Sequence, residues 1–232
     1  MPARNQHTQA VRILWRLAAR FPFRFWKQVT SALVDHTGRS VYNSGLIMAS
    51  QRYALVAYVH NQVGEFVEKL RKELHPELPH LAAHVTLLPP RCLQGSESAA
   101  AETLEQCCKQ AEPFEVSLGE VETFIPATPT VFIRVAHAAY RMRELHDLLN
   151  TNGLATTEEW PYMPHLTIVK MGAEDQAQYA YRVARTRWAE FEGNRCIEVR
   201  DLTFVREEAP YHWVDLATVP LGATRPTPAG RR

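Results

Sequence analysis

The chain has 232 residues, 46% of them hydrophobic and 22% charged, which is enough for one substantial domain or two small lobes sharing a core and argues against wholesale disorder. Twenty-six Lys and Arg against 25 Asp and Glu leave a net charge of +1, against a protein that grips long nucleic acid through its phosphates, so any nucleic-acid ligand is expected to be short. Arg52 interrupts the best apolar run, so no spanning helix is expected. Cys92, Cys107, Cys108 and Cys196 show no CxxC or zinc spacing and suit a reducing, cytoplasmic setting.

Residues 1–50 hold seven basic residues and one acid, Asp35, with Trp15, Phe21, Phe23, Phe25 and Trp26 set among the arginines. This is the look of an organelle transit peptide or membrane-surface arm, and equally of an extension that packs on the domain or stays mobile. Contact with a membrane or protein through it stays open. Tyr53–Val59 reads as a strand, Gln62–Leu74 as a helix stopped by Pro76, and His84–Leu88 as a strand ended by Pro89-Pro90. A helix follows over Ser96–Ala111, with Ser98 as its cap, then an alternating strand over Phe114–Ile125. The order restarts with a strand at Thr130–Val135, a helix at Tyr140–Asn150 and a strand at His165–Val169. Glu174–Phe191 reads as a helix, and Cys196–Val205 and Tyr211–Val219 as strands that pair across a turn. Residues 220–232 read as a disordered tail.

The first strand precedes its histidine strand by 31 residues in one half and 35 in the other. The expected fold is therefore α+β: a pseudo-twofold body with lobes at about 51–126 and 130–219, each an antiparallel-rich sheet with two helices, and a groove between them. The alternative is one sheet of five to seven strands without internal symmetry.

The chemistry sits in the histidine strands, His84-Val85-Thr86-Leu87-Leu88 and His165-Leu166-Thr167-Ile168-Val169. Each presents an imidazole and a hydroxyl on one face. Composition alone predicts fewer than one His-x-Thr match, and the shared apolar pattern and the matching place in each half separate this pair from chance. Two histidines can divide the acid and base roles at a phosphodiester, while threonine hydroxyls hold its non-bridging oxygens.

These paired motifs resemble the two-histidine phosphoesterase superfamily, and within it the 2′,5′ RNA ligase-like and RNA 2′,3′-cyclic phosphodiesterase branch. Pro164 and the Pro89-Pro90-Arg91 turn are also family-like, and the resemblance covers about residues 52–219. It implies a bilobal fold with a central groove, with RNA 3′ ends or small cyclic nucleotides as substrates. It also implies a hydrolase needing no metal or cofactor that opens 2′,3′-cyclic phosphates and can run in reverse as a 2′,5′ RNA ligase. By motif position, His84 and His165 would be the acid/base pair, with His165 favoured as base. Thr86 and Thr167 would bind phosphate.

Arg91, Tyr162 and Tyr211 are further candidates for substrate contact, with Phe124 and Trp213 as weaker aromatic ones. Lys170, five residues past His165, falls on the opposite face of a regular strand and is set aside. A monomer is expected. The rival reading is a non-catalytic module of the same fold that binds nucleotides or RNA ends.

Overall fold

The computed structural model describes residues 51–78 and 81–222. The basic segment 1–50 and residues 223–232 of the expected tail lie outside the described residues. In chain order the elements are β1 (Tyr53–Tyr58), α1 (Gln62–Leu74), β2 (His84–Arg91), α2 (Glu97–Cys108), β3 (Phe114–Thr123) and β4 (Thr130–His137). Then come α3 (Ala139–Leu149), a 3₁₀ turn (Asn152–Leu154), β5 (His165–Lys170), α4 (Glu174–Ala189), β6 (Cys196–Val199), β7 (Asp201–Ala209) and β8 (His212–Pro220). The fold is α+β, as expected.

The eight strands form one sheet in the order β6-β3-β4-β5-β2-β1-β7-β8, every neighbouring pair antiparallel. About the central β5–β2 pair the order is symmetric: β4 answers β1, β3 answers β7, and β6 answers β8. The restart expected near residue 130 is instead the turn of a β3–β4 hairpin, closed by Phe124 N–H donating to the Thr130 carbonyl at 3.0 Å. A connection this short pairs β3 directly with β4, and β6 takes its other edge. The third strand of each sequence half therefore pairs within the other half of the sheet.

The strand expected over Cys196–Val205 is two strands, broken at Arg200. β6 lies at one margin of the sheet and β7 second from the other. One intervening residue spans only about 7 Å between flanking Cα atoms, so the sheet curls until these regions meet. At the far end, β8 runs through Pro220, and Leu221 is buried, so the ordered chain extends slightly into the expected tail.

Helix positions follow from local chemistry. Asn61 caps α1, its side chain accepting from Val63 N at 3.0 Å, and Val63, Val67 and Leu70 at helical spacing face the core. For α2 the cap is Ser96, accepting from Ala99 N at 3.2 Å, whereas Ser98 lies inside the first turn. Gly64 is required by close approach, because a Cβ there would lie 1.8 Å from the Val59 carbonyl oxygen. Gly64→Ala should therefore lower stability by about 1–3 kcal/mol, read from urea denaturation. A neutral result would show that the backbone shifts freely at this contact. Among the described residues, no helix is long and apolar enough to cross a membrane.

Candidate active site

β2 and β5 meet through one register pair, Val85 with Leu166. These two side chains are buried in the core, so the alternation of a strand turns their neighbours to the opposite face. One step to either side, His84 stands opposite Thr167 and Thr86 opposite His165. The four side chains form a square in which each histidine adjoins the other strand's threonine. Directly opposed Cβ atoms lie about 5 Å apart, and the diagonal joining the histidines spans about 7–8 Å. All four residues are half-buried.

Ring orientation is fixed from the backbone. His84 Nδ1 lies 2.8 Å from the Ala82 carbonyl and His165 Nδ1 lies 2.7 Å from that of Met163. A carbonyl only accepts, so in each neutral ring Nδ1 carries the proton and Nε2 the lone pair. Among the described residues, neither Nε2 nor either threonine hydroxyl has a protein partner, and no buried side-chain nitrogen or oxygen lacks one. These four atoms therefore reach solvent.

Burial pushes the His84 imidazole below its ordinary 6.5; the Ala82 carbonyl opposes this, and the charges of Arg71 and His165 add to it. Burial lowers His165 as well, opposed by the Met163 carbonyl. The unfolded chain then binds more protons than the folded one just below pH 6.5, so these histidines cost stability as the pH falls through that value. Melting temperatures between pH 7 and 5 should fall more steeply for the wild type than for a His84→Asn/His165→Asn double variant. Parallel curves would contradict the shifts.

Because β2 and β5 share a single pair, backbone groups near it need donors from outside the sheet. Arg71, on the buried face of α1, donates Nε to the Ile168 carbonyl and Nη2 to the Thr167 carbonyl, each at 2.9 Å, and Nη1 to that of Leu81. Tyr162 donates its hydroxyl to the Thr86 carbonyl at 2.9 Å and stacks on His146, with centroids 4.2 Å apart. Each threonine's backbone is thus clamped by one long side chain. Phe124 and Phe132 meet the His165 ring edge-on, both at 5.1 Å, while Tyr58 approaches His84 at 6.4 Å.

Both motif strands carry a β-bulge just beyond the threonine. Val56 pairs with Thr86 but Leu55 with Leu88; Phe132 pairs with Thr167 but Val131 with Val169. Two consecutive residues then face the core, Leu87-Leu88 in β2 and Ile168-Val169 in β5, all four buried. Beyond each bulge the facing of the strand is reversed. Lys170 pairs with Thr130 and lies on the same face as Thr167, contrary to the regular-strand expectation. β2 likewise continues through Pro89 and Pro90 to Arg91, tolerated where β5 no longer pairs with it.

The other candidates are placed elsewhere. Arg91 is neither solvated nor open to a ligand. It is 5% exposed and donates to the Pro89 and Leu154 carbonyls, to Asn150 Oδ1 and, at 2.5 Å, to Glu158. Tyr162 has its hydroxyl committed to Thr86 and one face covered by His146, so it positions the motif strand. Tyr211 occupies the two-residue β7–β8 turn with φ 64° and is exposed. β1 pairs Tyr58 with His84 but Tyr53 with Arg206, so that turn lies roughly 30 Å of strand away from the histidines. Trp213 packs on Ala54, Val56 and Val205, beside Tyr58.

The model of the 2′-5′ RNA ligase superfamily matches residues 59–210, more than half of the chain and both motifs. The chain belongs to that superfamily. A protein of Oceanobacillus iheyensis with a provisional phosphoesterase name is 25% identical over 122 residues, covering 51% of this chain and 70% of its own. A similarly named protein of Halalkalibacterium halodurans is 26% identical over 118 residues, covering 50% and 68%. Among solved structures, E. coli LigT complexed with NADP+ superposes with a TM-score of 0.52 at 14% identity, covering 75% of this chain and 99% of that one. The apo form of LigT gives 0.52 at 16%, covering 75% and 98%. These structural likenesses carry the fold.

Proposed function

We propose that this superfamily member is a phosphodiesterase that opens 2′,3′-cyclic phosphates of RNA ends or small nucleotides by two-histidine acid/base catalysis. The observation that carries this reading is the Val85–Leu166 register pair, which sets two imidazoles and two hydroxyls on one face.

In the scheme one neutral histidine takes a proton from water through Nε2 as the water oxygen bonds to phosphorus. The bond from phosphorus to the 2′ or 3′ ribose oxygen breaks, and the other histidine, protonated, donates to that oxygen. Solvent exchange then resets both rings. With an RNA 5′-hydroxyl in place of water and the 3′-oxygen as the leaving group, the same groups support 2′,5′ ligation. Thr86, Thr167 and the re-aimed Lys170 hold the non-bridging oxygens. The electrostatics favour His84 as base, the reverse of the sequence-based preference. Burial lowers both rings, and the charges of Arg71 and His165 add to it at His84 alone. Bound phosphate, being anionic, favours the protonated form that the acid must hold.

The test is turnover of 2′,3′-cyclic nucleotides and of a short RNA ending in a cyclic phosphate, with and without EDTA. Turnover that persists in chelator is expected. Loss of activity on chelation would refute the scheme, and binding without turnover would make the chain a nucleotide-binding module.

A further inference from the structure

The pseudo-twofold axis equates Tyr58 with Arg134, because each pairs in register with the outer side of a motif histidine: Tyr58 with His84 and Arg134 with His165. Their chemistry is opposite. Tyr58 donates its hydroxyl to Asp215 Oδ1 at 2.6 Å, so a carboxylate borders the His84 side. On the His165 side stands a guanidinium.

Arg134 is 48% exposed and is held through Nε by Glu122 at 2.8 Å, itself 41% exposed. A pair this exposed contributes little to stability and is readily exchanged for a stronger anion. The wall beside it is also cut back. Leu118 pairs with Val135 and Val121 with Ile133, so β3 bulges at Gly119-Glu120 directly across from Arg134. A Cβ on Gly119 would come within 4.0 Å of Arg134 Nη2 and 3.1 Å of the Ala136 Cβ. The guanidinium thus lies over a position that carries no side chain, one strand spacing, about 5 Å, outward from His165.

We propose that Arg134 is the seat of a second phosphate, so that the site takes nucleotides or RNA ends bearing one phosphate beyond the reacting one. This rests on the reading of the histidine–threonine square as the seat of the first. The planar fork of arginine suits bidentate contact with phosphate, and Asp215 on the opposite flank gives the bound chain a direction, with its second phosphate on the His165 side. Glu122 competes for the same donors and tempers the affinity.

The test uses the full chain and two probes that differ by one group, adenosine 3′-monophosphate and adenosine 3′,5′-bisphosphate, with binding measured by titration calorimetry. The bisphosphate is expected to bind at least about tenfold more tightly to the wild type. That ratio should fall to near one in Arg134→Gln and increase in Glu122→Gln. Equal affinities in the wild type, or a ratio left intact in Arg134→Gln, would overturn the proposal. The bisphosphate preference with no turnover of any cyclic phosphate would refute the catalytic reading and leave this one standing; turnover without the preference would do the reverse.

Discussion

His84→Ala and His165→Ala should each reduce turnover of a 2′,3′-cyclic nucleotide by a factor of about 10²–10⁴, the usual contribution of a positioned acid or base. The two losses should differ in kind. A 4-nitrophenyl phosphodiester has a leaving group that departs without a proton, so it needs the base but not the acid. On that substrate His165→Ala should recover most of its rate and His84→Ala should not. The opposite pattern would exchange the two roles without disturbing the site. Both variants retaining wild-type turnover on the cyclic nucleotide would remove catalysis from the motif altogether. Because each ring packs without donating to another side chain, folding should survive either change, and a circular dichroism spectrum would verify it.

The second large effect falls on stability. Arg71→Met keeps much of the side-chain volume but withdraws the donors from the Leu81, Thr167 and Ile168 carbonyls. Buried acceptors left without partners cost about 1–3 kcal/mol each, partly recovered where a ladder bond remains. A loss of about 2–4 kcal/mol in urea denaturation is therefore expected. Tyr162→Phe, which withdraws one donor from Thr86, should cost about 1 kcal/mol. A loss under 1 kcal/mol for Arg71→Met would show that these carbonyls find other donors and that the clamp is not needed.

The local pattern of the sequence proved more readable than the partners it recruits. Helix α1 begins and ends where its apolar spacing, Asn61 and the residues before Pro76 place it, since those signals act within a few residues. The two His-x-Thr strands are legible for the same reason. Their bulges were signalled too. In Leu87-Leu88 and Ile168-Val169 the alternation fails by one residue, the mark of an inserted position, and reading it would have brought Lys170 to the site face. Arg71 carries no such mark. A basic residue in the last turn of a helix looks like a solvated one, and its partners lie 96 and 97 residues away. Arg91 misled in the same way, because Asn150, Leu154 and Glu158, which absorb its donors, are distant in sequence. Strand order is a long-range property, so the exchange of β3 and β7 could not be read from element order, which describes two tidy halves.

That exchange has a consequence for how the domain can be divided. A polypeptide severed between residues 126 and 130 yields one fragment whose last strand requires β4 and β6 from the other, and a second whose β7 requires β1 from the first. Neither piece holds a finished scaffold, despite the matching order of elements in the two. Co-expressed, they should reassemble as a complementing pair; expressed singly, each would expose the unpaired margin that its counterpart normally covers.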